Sequence, residues 1–243
     1  MAGSAVLAAA RNNAEWCDAM CRAHGLPGGF TESLWFNPRK APPYYPDAVT
    51  LTPDASVAEV LRLLDRRAVD GEPGGASVKD SFARLDLSVA GFRVLFEAQW
   101  ILRPAGSSQP PGESRAPTGD VVRWEKIGDE SDLREWETHF HGGWDDGLFP
   151  AGLLADPTVV ILAGRIDGDV VCGSVLNTGD QVVGVSNVFA SGCDMDTAWA
   201  GTVANAAALF PGRPMVGYER SEDLRLARRH GFTPVGPLRV WLR

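Results

Sequence analysis

Two apolar runs, "VVILAGRI" and "VVCGSVLN", flank Asp167-Gly168. Runs of Val, Ile and Leu on either side of Asp-Gly predict a tight β-hairpin. They alternate little with polar residues, so both faces of the hairpin are expected to be covered. The pattern continues as a strand in "VVGVSNVFA", a helix in the alanine-rich segment, a strand in "PMVGYER" and a helix in "LRLARRHGF", and ends in the strand-like "PLRVWL". Before the hairpin, "VVRWEKI" reads as a strand. Leu133, Trp136 and Phe140 fall at i, i+3 and i+7, the spacing of a helix starting near Ser131. "HGGWDDGLFPAGLLADP" reads as a loop with one helical turn.

The first hundred residues are patterned differently. Residues 5–24 suit a helix with Trp16, Cys17, Met20 and Cys21 on one stripe, stopped by Gly25 and Pro27. A proline-rich stretch follows, mostly extended. Its Trp35, Phe36, Tyr44 and Tyr45 either line a pocket or seal the core. Ser56 and Glu59 form a capping-box pattern ahead of Val57, Val60, Leu61 and Leu64, and "DGEPGG" ends that helix. "VKDSFARLDLSVAGF" reads as a short helix and "RVLFEAQWILR" as a strand.

Residues 104–119, "PAGSSQPPGESRAPTG", carry almost no large apolar side chain and cannot bury a core. They divide an N-terminal lobe, 1–103, from a C-terminal domain, 120–243. The two parts echo each other. Arg84-Leu85 pairs with Arg225-Leu226, Gly91-Phe92 with Gly231-Phe232, and Trp100 with Trp241, if one residue of gap is allowed. A duplication or chance similarity between two helix-to-strand joints accounts for it.

The 243 residues, 44% hydrophobic and 22% charged, are enough for one large domain or two small ones. A net charge of −8 disfavours a nucleic-acid partner. No apolar run approaches the ~20 residues of a membrane span. The N-terminal segment reads as a helix rather than a signal peptide, which makes a cytoplasmic protein the expectation. Four cysteines, Cys17, Cys21, Cys172 and Cys193, are too few for a disulfide scaffold and read as buried thiols. His139, His141, Asp145 and Asp146 crowd one loop, but no second cluster at useful spacing joins them, so no metal is expected. A Ser-His-Asp mechanism lacks a G-x-S-x-G elbow.

The order of elements from "VVRWEKI" to Arg243, with Gly173 in "CGS" after the hairpin turn and Gly231-Phe232 closing the last helix, resembles the GCN5-related N-acetyltransferases (GNAT) over residues 120–243. The resemblance implies an α/β (α+β) fold: an acyl-CoA N-acyltransferase-like mixed sheet with splayed central strands. If the echo is a duplication, there are two GNAT-like lobes. It implies an acyl donor, acetyl-CoA or another acyl thioester, lying in the gap, and a small-molecule amine as acceptor. On this resemblance, His141 or Glu219 takes the amine proton and Tyr218 stands as acid. Backbone N–H groups at Val188 and Phe189, with Ala190, face the thioester. Trp144, Asp145, Asp146 and Asn187 meet the acceptor. Blander readings stay open: a packed Tyr218, a backbone-satisfied Asn187 and a solvated turn around Trp144.

Two features depart from the family. Its basic, glycine-rich turn holds the coenzyme A pyrophosphate on backbone N–H groups. Here "ASGCDMDTAWAG" stands in its place. With Gly201 at the last glycine position, Asp196 replaces the basic residue and Trp199 the middle glycine. Ala227 stands where many members carry a Tyr. A non-catalytic binding protein that keeps the fold is the competing expectation. The sequence carries no signal of oligomeric state.

Overall fold

A computed structural model describes residues 2–69, 75–107, 116–142 and 147–243. In chain order the elements are α1 (Ala2–Ala23), β1 (Gly29–Phe30), β2 (Leu34–Phe36), β3 (Ala48–Thr50), α2 (Val57–Val69), β4 (Ser77–Asp80), β5 (Arg93–Arg103) and β6 (Arg123–Lys126). Then follow α3 (Glu130–Phe140), β7 (Val159–Ile166), β8 (Asp169–Thr178), β9 (Val183–Ala190), α4 (Met195–Leu209), β10 (Met215–Glu219), α5 (Ser221–Arg229) and β11 (Thr233–Leu242). Two 3-10 turns lie at Ser88–Ala90 and Ala151–Ala155. The residues form two compact units. One comprises Met1–Ile101, Tyr218–Arg220 and Pro234–Arg243; the other comprises Leu102–Gly217 and Ser221–Thr233. The first crossing lies just before the proline-rich 104–119 segment. The later crossings carry parts of β10 and β11 into the first unit, so neither unit is one continuous stretch.

In the first unit the strands run β1-β2-β3-β4-β11-β5. β2 pairs antiparallel with β1 and β3, β3 runs parallel to β4, and β4 is antiparallel to β11. α1 buries Val6, Ala10, Cys17, Met20 and Cys21. It ends where Gly25 adopts φ +71° and Leu26 N–H donates to Cys21 O at 2.8 Å, a left-handed helix stop open to glycine. The aromatic stretch after it seals this core: Trp35 is buried and donates its indole N–H to Asp18 Oδ1 at 3.0 Å, and Tyr45 packs in the same cluster. Only Tyr44 stands out in solvent. At α2, Ser56 Oγ accepts from Glu59 N–H at 3.2 Å, half of the expected capping box. The Glu59 carboxylate accepts from Ser33 Oγ at 2.6 Å, tying α2 to the turn before β2.

The segment "VKDSFARLDLSVAGF" is not a helix. It is β4, a turn and a 3-10 turn. Asp80 ends the strand: its carboxylate accepts from Leu85 N–H at 2.8 Å and Phe82 N–H at 3.3 Å, and Ala83 sits at φ +51°. Side-chain bonds of this kind compete with helical ones. The echo between the halves has a matching geometry. Gly91 (φ +80°) and Gly231 (φ +85°) each donate N–H three residues back, to Ser88 O and Arg228 O. Phe92 and Phe232 each donate five residues back, to Leu87 O and Ala227 O, both at 3.2 Å. Both Phe rings, and Trp100 and Trp241, are buried.

In the second unit β6, β7, β8 and β9 form an antiparallel meander, with the start of β10 parallel to β9. Asp167 (φ +52°) and Gly168 (φ +101°) both take left-handed conformations, as a two-residue hairpin turn between right-twisted strands requires. β7 and β8 are buried along nearly their whole length. α3 is capped by Asp129, whose side chain accepts from Asp132 N–H at 2.9 Å. It seats Trp136 on β7 and β8: the indole N–H donates to Leu162 O at 2.9 Å, and the ring meets Phe149 and Phe189 edge-on at 5.0 and 5.2 Å. Gly173 leaves room for it, since a Cβ there would lie 2.2 Å from Trp136 Nε1 and 2.8 Å from Leu162 O.

Gly173→Ala is therefore expected to lower stability by about 1–3 kcal/mol. It should move the urea midpoint with an unchanged slope; an unmoved midpoint would show that the indole does not depend on that space.

Candidate functional site

β9 carries the local irregularity from which a site can be built. Its ladder with β10 has two register pairs, Met215↔Val183 and Val216↔Gly184, and no further pair among the described residues. Within the second unit, whose part of β10 ends at Gly217, that edge of β9 carries no pair from Val185 onward. On its other edge β9 stays paired with β8, but the register shifts between Gly173 and Val175, so that Ser174 faces the extra residue around Asn187. Asn187 has φ +53°. A bulge with a left-handed residue re-aims the backbone groups beside it, and non-glycine residues seldom hold that conformation unless their surroundings impose it. Behind the bulge Thr202 Oγ1 donates to Ser174 Oγ at 3.0 Å, a buried bond that ties α4 to β8.

Phe189, two residues beyond Asn187, packs its ring against Trp136 and Phe140 at 5.2 and 5.6 Å. His141 follows Phe140, with ring centroids 4.8 Å apart. The bulge and the end of α3 thus meet through one aromatic cluster, which brings Asn187, Val188, Phe189 and Ala190 into the neighbourhood of His141. The His141 Nε2 lies 3.9 Å from Glu137 Oε1. Glu137 itself is 1% exposed and accepts from the N–H groups of Leu148 and Phe149 at 2.6 and 3.1 Å. Sequence reasoning missed Glu137. Its signal was a carboxylate beside Leu133, Trp136 and Phe140 on the apolar face of α3.

The turn from β9 into α4 is closely folded. Ser191 and Gly192 both donate N–H to Val171 O at 2.9 Å, and a Cβ on Gly192 would come within 2.8 Å of Val171 Cγ1. Asp194 caps α4, its Oδ1 accepting from Thr197 N–H at 2.7 Å. The helix N-terminus, which attracts anions through its unpaired N–H groups and dipole, thus already holds a carboxylate of this chain. Asp196, in the first turn, accepts from Arg229 Nε and Nη2 at 3.1 and 2.7 Å and lies 3.0 Å from His230 Nε2. The Arg229 guanidinium, with His230, holds its carboxyl below the usual carboxylate range. His139, expected in a loop, lies in the last turn of α3, with its Nδ1 3.0 Å from Ser191 Oγ.

The register built on Gly201 needs correction. Gly201 lies in the second turn of α4, where a Cβ would meet the Trp124 indole at 2.1–2.3 Å; it serves packing. Trp199 is buried between Phe232, edge-on at 5.4 Å, and His230, stacked at 6.4 Å. The glycine of the turn is Gly192, so Trp199 is not in the turn at all.

Tyr218 and Glu219 belong to the first unit. There Tyr218 meets Trp100 edge-on at 5.7 Å, and the Lys79 ammonium sits 4.3 Å from its ring centroid. Lys79 is 4% exposed and donates to Asn13 Oδ1 at 2.8 Å. Neighbouring arginines are engaged elsewhere: Arg220 stacks over Phe96 at 4.8 Å and Arg225 pairs with Glu222. Trp144, Asp145 and Asp146 lie outside the described residues. Among the described residues no group of His, Cys, Asp or Glu could hold a metal ion, and no helix is long and apolar enough to cross a membrane.

No protein-family model matches the sequence, and no curated protein matches it. Solved structures do. A GCN5-related N-acetyltransferase from Kribbella flavida is similar with a TM-score of 0.63 and 16% identity, over 96% of this chain and 94% of that one. A GCN5-related N-acetyltransferase from Sphaerobacter thermophilus reaches 0.52 at 12% identity, over 97% and 92%. A tandem GNAT protein from the clavulanic acid biosynthesis pathway reaches 0.57 at 11% identity, over 86% and 78%. The fold is that of the GNAT acyl-CoA N-acyltransferases, and the likeness runs over nearly the whole chain rather than residues 120–243 alone.

Replacing the cap, Asp194→Ala, is expected to cost about 1 kcal/mol of stability, while Asp194→Asn, an equally good cap, should leave it unchanged. Thermal or urea unfolding of the two variants checks this; equal loss in both would mean that the charge rather than the cap hydrogen bond matters.

Proposed function

We propose that the protein is a GNAT-type acyltransferase that moves an acetyl or other acyl group from a thioester donor to a small-molecule amine. The observation that carries this reading is the β9 edge. Within the second unit, a strand edge with two register pairs to its neighbour and a bulge beyond them offers its backbone to an extended, amide-bearing ligand arm, as sheet edges receive added strands. The pantetheine arm of coenzyme A is such a ligand. N–H groups at Val188 and Phe189, with Ala190 beside them, would polarise the thioester carbonyl.

The amine attacks that carbonyl. A C–N bond forms, the C–S bond breaks and the thiolate leaves. His141 accepts the proton lost by the amine, directly or through water, and the thiolate takes one from solvent. Trp144, Asp145 and Asp146 draw the cationic amine toward the site, and Asn187 orients it.

The diphosphate end of coenzyme A fits less well. Asp194 fills the helix N-terminus that would receive it, and Asp194 is like-charged with it. This favours a donor without a nucleotide diphosphate. It also supports a second reading, a binding protein that keeps the fold without catalysis.

Donor binding separates these readings. At a hundredfold excess over Kd, a true donor stabilises the fold by about 2.7 kcal/mol, a rise in Tm of roughly 5–10 °C. Acetyl-pantetheine is expected to produce that rise and to transfer its acetyl group to amines. No rise with either acetyl-pantetheine or acetyl-CoA, and no transfer, would overturn the acyltransferase reading; a rise without transfer would favour the binding protein. His141→Ala should lower kcat by about 10²–10⁴-fold, with donor affinity kept, if His141 is the base. Asp194→Asn should tighten acetyl-CoA several-fold, since a unit charge ~4 Å away is worth about 1 kcal/mol in water, and leave acetyl-pantetheine unaffected.

A further inference from the structure

Cys172 and Cys193 stand 21 positions apart in sequence and share one packed cluster, Cys172 buried within it and Cys193 packed against it. Cys172 is buried on β8, in register with Ala190 of β9 and Gly164 of β7. Its sulfur rests in the hollow that Gly164 leaves open, 2.5 Å from where a Cβ would be. Cys193 is half-buried in the turn that the Ser191 and Gly192 N–H groups fasten to Val171 O, and its own Sγ lies 3.6 Å from the same oxygen. The contact thus follows from how the turn is fastened to β8. Around it lie Ala116, Val122, Val171 and Ala198. Cys193 immediately precedes Asp194, the cap of α4, and its Sγ lies 3.5 Å from Asp194 O.

The geometry points to a redox-active dithiol at this position: Cys193 reacts with a hydroperoxide, and Cys172 resolves the product into an intramolecular disulfide. In the first step the Cys193 thiolate attacks one peroxide oxygen. The O–O bond breaks, and with one proton the other oxygen leaves as water or alcohol, giving the Cys193 sulfenic acid. In the second, the Cys172 sulfur attacks Cys193 Sγ. An S–S bond forms, the S–O bond breaks, and the hydroxyl leaves as water with the Cys172 proton. Two electrons pass from the thiol pair to the peroxide.

The division of roles follows from environment. The neighbouring Cys172 thiol holds the Cys193 thiol below its ordinary pKa, against its partial burial and the Asp194 charge; the same pairing, together with burial, pushes the Cys172 thiol up. The thiolate is the reacting species, and Cys193 is also the more open of the two. Cys17 and Cys21 are the internal contrast. They share one face of α1, both buried, and burial pushes them up to about 11 and about 12.

The chain treated with a small excess of hydrogen peroxide is expected to lose about 2 Da, regained with dithiothreitol. No Lys or Arg lies between residues 166 and 212, so trypsin leaves both cysteines on one fragment. Chymotrypsin, cutting after Leu176 and Phe189, should give a linked pair of peptides. Cys193→Ser should abolish the mass loss. Cys172→Ala should leave Cys193 unresolved, trapped by dimedone or carried on to the sulfinic acid, a gain of about 32 Da. If Cys172→Ala does not fold, the chymotryptic map of the unaltered chain and Cys193→Ser decide alone. A linkage through Cys17 or Cys21, or a mass loss that persists in Cys193→Ser, would overturn the proposal. So would oxidation of Cys193 with no linkage to Cys172.

Discussion

The seating of Trp136 is the constraint on which the second unit depends. One side chain satisfies its N–H on a β7 carbonyl, fills the space left by a missing Cβ on β8, and presents its faces to Phe140, Phe149 and Phe189. Phe189 belongs to β9, two residues past the left-handed Asn187. The ring cluster therefore fixes α3 on the sheet and at the same time fixes the strand at the place where it bulges. A distorted backbone persists only when its surroundings over-determine it. Here they comprise aromatic packing on one side and the buried Thr202–Ser174 bond on the other.

Much of this was legible because local chemistry determines it. Asp167-Gly168 reads as a tight hairpin because both residues tolerate left-handed conformations, and α3 reads from its apolar period. Gly173 and Gly231 read as glycines with a purpose. What stayed hidden is non-local. Gly201 and Gly192 look alike in sequence, but one makes way for an indole and the other lets a turn lie against Val171. Asp80 turns a helix-like pattern into a strand end because its carboxylate takes the N–H groups that a helix would use. Within the site, Asn187 was visible as a polar residue among apolar ones, whereas its backbone conformation was not. The assignment of Tyr218–Arg220 and Pro234–Arg243 to the first unit rests on pairings between distant segments, which no window of sequence contains.

Electrostatics at the start of α4 separates this chain from a simple phosphate cradle. Asp194 occupies a donor that an anion would use, and Asp196 is neutralised by Arg229 and His230 rather than left to repel a ligand. The fold is that of acyl-CoA transferases, and fold alone does not fix chemistry. In the function proposed above the β9 edge takes a thioester arm, and the self-capped helix disfavours its nucleotide end. A short-armed donor satisfies both observations.

The pairing of β11 with β4 joins Arg239–Leu242 to Ser77–Asp80, segments separated by about two-thirds of the chain. Closing so long a loop is slow, and contacts of this kind dominate folding rate. During synthesis, then, β4 waits with one edge bare while every residue of the second unit is being made. The N-terminal unit, though translated first, reaches its native sheet last, and its unfinished edge is where a nascent chain of this protein would most need shielding from its neighbours.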